Sequence, residues 1–263
     1  MAGLLASAAM DCGDDLQLAF DTSDLAAELA LAHFDSGVTP TLKADGTPVT
    51  EADRAVERLL RETLSEARPE DAFLGEELGQ VGQSDRIWIL DPIDGTGFFS
   101  RGDPNWRIHV ALQSHGVTEV AVVTSPALRR CWWATRGGGC FESSWPREES
   151  QTRRLKVSST STLDDAVLDA LDDESRERLP PSAAHAPGSP LPLVELVRGE
   201  IDAFLAERYY TWDHAPWVLL VEEAGGLFTD RTGGRASDQG GGLYSNAMLH
   251  SQLLAWLNYP ARP

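Results

Sequence analysis

The stretch Trp88-Ile89-Leu90-Asp91-Pro92-Ile93-Asp94-Gly95-Thr96 decides how the rest of the 263-residue chain is read. Residues 87–90 are apolar and β-prone, the pattern of a short buried strand. Asp91-Pro92 is expected to end that strand abruptly, because proline fixes φ and has no N–H for the ladder. Gly95 permits a sharp turn, and Thr96 offers a hydroxyl beside two acids. The strand thus delivers two carboxylates into one loop. Held that close they repel unless a cation or a proton lies between them, and hard oxygen ligands favour Mg²⁺ or Mn²⁺ over zinc. An Asx-type turn, with Asp91 and Asp94 capping backbone amides, is the competing local reading.

Upstream, residues 1–20 read as a loose acidic lead-in. Asp21-Thr22-Ser23 is expected to cap a helix through about residue 33, with Leu25, Leu29, Ala32 and Phe34 near helical spacing. Thr50-Glu51-Ala52-Asp53 opens a second helix to about residue 67, with Val56, Leu59, Leu60 and Leu64 on one face. Downstream the period becomes two: Ile108, Val110 and Leu112 share a strand face, and 117–124 and 131–134 are its partners. The Ser-, Pro-, Glu- and Arg-rich stretch 143–190 predicts a short strand at 155–157, one short helix and a subdomain boundary. Beyond it come a helix at 193–198, a strand at 201–205, a helix from Trp212-Asp213 to Gly225-Gly226, and a last helix at 247–257. Gly240-Gly241-Gly242 reads as a turn. Two helices followed by a strand meander indicate an α/β (α+β) chain built as a layered sandwich. Its expected parts are the lead-in 1–20, an N-terminal subdomain 21–150 with most metal ligands, and a C-terminal subdomain 151–263 that completes the site.

Composition narrows the function. With 22 Lys plus Arg against 41 Asp plus Glu, the formal net charge is −19. Such a surface repels phosphate backbones and anionic lipid headgroups, which disfavours nucleic-acid and membrane roles. An anionic substrate would need a divalent metal to neutralise the local field. The three widely spaced cysteines, Cys12, Cys131 and Cys140, suggest a reducing compartment. No run of about 20 apolar residues suits a membrane span, and the opening residues have no basic n-region. A cytoplasmic protein is expected.

Two further acidic sites give the loop its context: Gly75-Glu76-Glu77, and Asp213 at a helix start. Alone, Glu-Glu is ordinary solvated surface and an Asp at a helix start is ordinarily a cap. Their order is informative. Together with Asp91-Pro92-Ile93-Asp94-Gly95-Thr96, Trp212-Asp213-His214-Ala215, Glu223-Ala224-Gly225-Gly226 and the upstream block Lys43-Ala44-Asp45-Gly46-Thr47-Pro48-Val49-Thr50-Glu51-Ala52-Asp53, they make the chain resemble the inositol monophosphatase family of the fructose-bisphosphatase-like phosphatases. The resemblance covers roughly residues 20–258. Ser125-Pro126-Ala127-Leu128-Arg129-Arg130, Trp132-Trp133-Ala134-Thr135-Arg136-Gly137 and Arg154-Leu155-Lys156-Val157-Ser158-Ser159 are similar to stretches of bacterial histidinol-phosphate phosphatases.

The resemblance implies a layered αβαβα sandwich and a Mg²⁺-dependent phosphomonoesterase with two or three ions, Mn²⁺ being possible. Its substrate would be a small alcohol phosphate, histidinol phosphate first, inositol monophosphate or another cyclitol or sugar phosphate second. Glu76, Asp91 and the Ile93 carbonyl would hold one ion, and Asp91, Asp94 and Asp213 another. Thr96 and Asp53 would orient the attacking water, with Glu76 accepting its proton. Gly95 and Thr96 would contact the phosphate, Lys43 would lie near the metals, and Gly188, Ser189 and Glu207 would meet the substrate. His214 is assigned a packing role. The family's usual homodimer is compatible with the apolar strand around Trp132-Trp133. The chain departs from the family at Gly97-Phe98-Phe99 and at Pro190-Leu191, which opens a second reading: a catalytically silent relative that binds metal and phosphate. A haloacid-dehalogenase type of phosphatase wants its second Asp two residues after the first; here the spacing is three and Pro92 intervenes. No Walker A loop, G-x-S-x-G elbow or HExxH helix occurs.

Overall fold

A computed structural model describes residues 12–37, 40–42 and 48–258. The helices are α1 (Cys12–Ser36), α2 (Glu51–Ala67), α3 (Thr96–Ser100), α4 (Asp173–Glu177), α5 (Pro192–Arg198), α6 (Thr211–Glu223) and α7 (His250–Leu257). The strands are β1 (Thr41–Leu42), β2 (Pro48–Val49), β3 (Ala72–Gly75), β4 (Gly79–Val81), β5 (Arg86–Asp94), β6 (Arg107–Ser114), β7 (Val117–Ser125), β8 (Arg130–Thr135), β9 (Gly139–Ser144), β10 (Arg153–Arg154), β11 (Val167–Ala170), β12 (Ala184–His185), β13 (Ala203–Ala206), β14 (Gly226–Asp230) and β15 (Gly242–Asn246). No described helix is long and apolar enough to cross a membrane.

Helix α1 corrects the first boundary. It runs unbroken through Asp21-Thr22-Ser23, so residues 12–20 are helical and not a loose lead-in; residues 1–11 lie outside the described set. The inward face carries Ala19, Phe20, Ser23, Ala26, Ala27 and Ala30, all buried, at helical spacing. Asp15, also buried, ties the first turns to Arg68 at 2.9 Å and Arg86 at 3.0 Å. Those partners are distant in sequence, so the local pattern shows a cap where tertiary ion pairs extend the helix.

One sheet has the strand order β10-β9-β8-β7-β6-β5-β3-β4, antiparallel except for β3 beside β5. The other has the order β12-β11-β13-β15-β14, with β11 parallel to both its neighbours. Alternation along β6 and β7 sorts side chains between layers: Ile108, Val110, Leu112, Val120 and Val122 pack with α1 and α2, whereas Ala121 and Val123 face α5 and α6. Phe204, Phe228 and Tyr244 of the second sheet close on the same α5–α6 layer. Its opposite face carries Leu168, Leu205 and Leu243 against Leu253 and Leu257 of α7. The order is helix, sheet, helix, sheet, helix: the αβαβα sandwich.

Residues 155–157 form no strand. Leu155 and Val157 instead donate single backbone bonds to the carbonyls of Cys140 (2.8 Å) and Ala224 (3.0 Å), stitching the first sheet to the end of α6. Trp132 is buried between the sheets, and Trp133 packs edge-on against Phe20, ring centroids 5.4 Å apart.

Candidate metal and active site

Strand β5 does not stop at Pro92. It continues to Asp94 with a register shift: Asp91 pairs with His109 and Asp94 with Arg107, so three steps on β5 answer two on β6. This is a β-bulge, the sheet position that tolerates proline. The bulge sets Asp91 and Asp94 at the rim of the sheet. Ile93 N–H donates to Asp91 Oδ1 at 3.1 Å, so the Asx-type turn forms too. Gly95 follows at φ +86, where an added Cβ would stand 3.2 Å from the Asn105 carbonyl. That turn starts α3 at Thr96.

The third carboxylate arrives from the other side. Asp213 sits in the first turn of α6, where its Oδ2 accepts the Tyr210 N–H at 2.8 Å. It is a cap and also a site residue. One oxygen each from Asp91, Asp94 and Asp213 lies within 4.8 Å of the others, and among the described residues no other His/Cys/Asp/Glu group of three or more converges this way.

Electrostatics oppose ionisation of two of the three carboxylates. Burial pushes the Asp91 carboxyl well above its ordinary range, and the nearby charges of Glu76, Asp94, Asp213 and Asp53 push it further. Asp213 is raised to about 8, by burial first and by Asp94 next. Acids so placed hold protons or share a cation. The donor set, one buried and two half-buried carboxylates from two separate segments, fits a hard divalent cation.

Beside the cluster, α2 begins with a capping box. Thr50 N–H donates to Asp53 Oδ2 at 2.7 Å, which leaves Asp53 Oδ1 for the Thr96 hydroxyl at 3.1 Å. The Ile93 carbonyl is a second acceptor for that hydroxyl, also at 3.1 Å. Asp53 and Thr96, 43 positions apart in the chain, therefore meet beside Ile93.

Glu76 lies just after β3, near enough to raise the Asp91 and Asp213 pKa values. Glu57, absent from the sequence-based candidates, holds this loop. Fully buried on α2, it accepts the Glu77 N–H at 2.7 Å and the Leu78 N–H at 3.2 Å, with Arg61 as its ion-pair partner at 2.6 Å. Gly75 has no side chain because a Cβ there would stand 2.0 Å from Glu57 Oε1. The glycine beside the acid pair was the available signal.

Two more residues were missed. Arg107 is ion-paired with Asp94, and its Nη1 donates to the Pro190 carbonyl at 2.7 Å. Burial is the largest single influence on Asp94 and opposes its ionisation, but the Arg107 and His109 side chains together hold the carboxyl below its ordinary range. His109 Nδ1 lies 3.3 Å from the Trp212 carbonyl. That carbonyl has no helical partner because the residue four positions on is Pro216, which has no N–H. Burial lowers the His109 imidazole to about 4, so it is neutral.

A family model described as "Inositol monophosphatase family" matches residues 13–259. The chain belongs to the inositol monophosphatase family. It is 38% identical over 258 residues to a histidinol-phosphatase of Mycobacterium tuberculosis, covering 93% of this chain and 98% of that one. An inositol-1-monophosphatase of Rhizobium meliloti is 36% identical, covering 74% of this chain and 76% of the relative. A solved Thermotoga maritima IMPase superposes with a TM-score of 0.80 at 28% identity, over 93% of this chain and 97% of that one. Membership makes the chain a metal-dependent phosphatase for small phosphorylated substrates, and Mg²⁺ is the general cofactor of the inositol monophosphatase family.

The residues expected to contact substrate lie in more varied settings. Ser189 N–H donates to Asp169 Oδ2 at 3.2 Å, and Gly188 takes φ +89, so this loop is pinned to β11. Pro190, one of the two departures from the family pattern, is the residue whose carbonyl meets Arg107. At the other, Phe99 enters the core with its ring 4.9 Å from Trp106, while Phe98 stays half-buried under the Arg101 guanidinium. Glu207 follows β13 and is ion-paired with Arg178; it does not join the carboxylate cluster. Lys43 lies outside the described residues. His214 is fully buried, its Nδ1 bonded to the Tyr244 hydroxyl, consistent with packing.

Proposed function

We propose that this chain hydrolyses the phosphate monoester of a small alcohol, with histidinol phosphate as its substrate. The observation that carries the reading is the convergence of Asp91, Asp94 and Asp213 beside the Asp53–Thr96 hydrogen bond. Glu76, Asp91 and the Ile93 carbonyl would hold one Mg²⁺, and Asp91, Asp94 and Asp213 would hold another. Mg²⁺ held there supplies charge neutralisation for the phosphate oxygens and lowers the pKa of a bound water.

The protein's own groups do the rest. The Thr96 hydroxyl directs its proton toward Asp53 Oδ1 or the Ile93 carbonyl. Its oxygen keeps a lone pair that can accept a hydrogen bond from the attacking water and orient it for in-line attack. Glu76, in the loop held by Glu57, would take the water's proton. Gly95 and Thr96 would bind the phosphate, and Gly188, Ser189 and Glu207 the alcohol. The choice of histidinol phosphate is supported by the 38% identity, over nearly the whole chain, to a protein named histidinol-phosphatase. Inositol-1-phosphate is the alternative, supported by the 36% relative.

The test is phosphate release from histidinol phosphate, inositol-1-phosphate and an aryl phosphate, each with Mg²⁺ and with chelator. Metal-dependent release from histidinol phosphate at least tenfold above the others is expected. Preference for inositol-1-phosphate would overturn the substrate assignment. No release from any, with metal bound, would overturn the proposed catalytic role.

A further inference from the structure

At the far end of α6 from the carboxylates, between that helix and the β6–β7 hairpin, lies a cavity of about 300 Å³, the size of a small-ligand pocket. Glu222 in its wall lies nine residues after Asp213 on α6, about 14 Å along the helix, so the cavity is separate from the site above. Its polar lining has hydrogen-bonding capacity left over. Glu222 spends Oε2 on Arg136 at 2.6 Å. Its Oε1 is buried with no hydrogen-bond partner, and Arg235 Nη1 at 3.5 Å is too far for a good one. Arg136 is committed, because Nε and Nη2 also donate to the Thr118 carbonyl. Arg235 is half-exposed, on a loop pinned by Asp230, which accepts the Thr232, Gly234 and Ala236 amides. The buried hydroxyls of Thr118 and Ser237 each accept from Gln113 Nε2, at 3.2 and 3.1 Å. Neither donates to a described residue, so each has a proton to give. The other nearby acid, Glu223, is taken up by the Gly137 and Gly139 amides at 2.8 Å.

We propose that this cavity binds a free α-amino acid, its carboxylate on Arg235 and the Thr118 and Ser237 hydroxyls, its ammonium on Glu222 Oε1. An ammonium there also meets the negative, C-terminal end of α6. Val117 and Val218 line the same cavity and give the ligand's side chain an apolar wall. A simple anion would leave Glu222 Oε1 unpaired and be repelled by it, and a simple amine would leave Arg235 and both hydroxyls unused.

The experiment is calorimetric titration of the full chain, with Mg²⁺ present, by each of the twenty proteinogenic amino acids at millimolar concentration. At least one is expected to bind one to one, and its α-hydroxy analogue at least tenfold more weakly. Arg235→Ala, a change to a half-exposed side chain that should leave the fold intact, should weaken binding at least tenfold. Glu222→Gln, which keeps an acceptor for Arg136, should remove the preference for the amino acid over its α-hydroxy analogue. Asp91→Asn should bind as wild type does; loss of binding there would put the ligand at the carboxylate site and overturn the proposal. No binding by any of the twenty, or an Arg235→Ala or Glu222→Gln variant that binds as wild type does, would overturn it too.

Discussion

Asp91 is buried among four other acids, and its setting was legible in the sequence: a carboxylate following an apolar run, answered by a second one three residues on. Its raised pKa comes from burial and from four other acids, so replacing it with Asn removes repulsion as well as a proposed metal ligand. Asp91→Asn and Asp94→Asn should each lower turnover more than tenfold, a barrier increase of at least about 1.4 kcal/mol. For Asp91→Asn the melting temperature of the metal-free protein should not fall. Phosphate-release rates and thermal melts check both. Gly75→Ala is a different kind of change. Its Cβ would force Glu57 away from the Glu77 and Leu78 amides, so we expect a stability loss of about 1–3 kcal/mol and a higher Mg²⁺ requirement for half-maximal rate. An unchanged Mg²⁺ requirement would show that Glu57 does not position Glu76. Gly75 hinted that something crowds the loop, but not that it is Glu57, whose partners are backbone amides 20 and 21 positions away. Arg107 was missed for the same reason: strand register, not spacing, brings it to Asp94.

Elements were legible where periodicity is strong and local. Helix α2 starts and ends where Thr50 and the apolar positions indicate, and the shared face of Ile108, Val110 and Leu112 is the one packed on α1 and α2. The reading failed where tertiary contacts override local rules. Proline was taken to end β5, yet the bulge absorbs Pro92. Asp21-Thr22-Ser23 was taken as a cap, yet α1 runs through it. Strands β9, β14 and β15, each preceded by glycine, gave too short a pattern to be distinguished from turns. Within α6, burial holds the His214 imidazole neutral, its pKa lowered to about 3, against about 6.5 in an unfolded chain. The unfolded state therefore binds the proton first. The stability this contributes is complete above about pH 6.5 and is lost as pH falls toward 3. A His214→Gln variant should accordingly lose less stability than wild type between pH 7 and pH 4.5. Thermal melts at both values test this, and equal losses would contradict it.

At the scale of the molecule, α5 and α6 form a layer shared by both sheets, and the site lies where β5 of the first sheet meets the start of α6. Leu220 is fully buried in that layer. Leu220→Ala should cost about 2–5 kcal/mol, and because both sheets lean on the same layer, unfolding should remain one transition; two resolved transitions would show that the sheets unfold separately. The layered class was readable from two helices followed by a strand meander, but the order of strands was not, since β3 passes over β4 to pair with β5 and β13 joins β11 and β15 without being adjacent to either in the strand sequence. The excess of acids reads differently once folded: part of it is concentrated at Asp91, Asp94 and Asp213, a group that could hold a cation. The most direct test of that account is phosphate release from histidinol phosphate by wild type and Asp91→Asn across a Mg²⁺ titration ended with chelator. The account requires release that rises with Mg²⁺, stops with chelator, and falls more than tenfold in the variant at every Mg²⁺ concentration. Release that survives chelator, or an Asp91→Asn variant within tenfold of wild type, would contradict it.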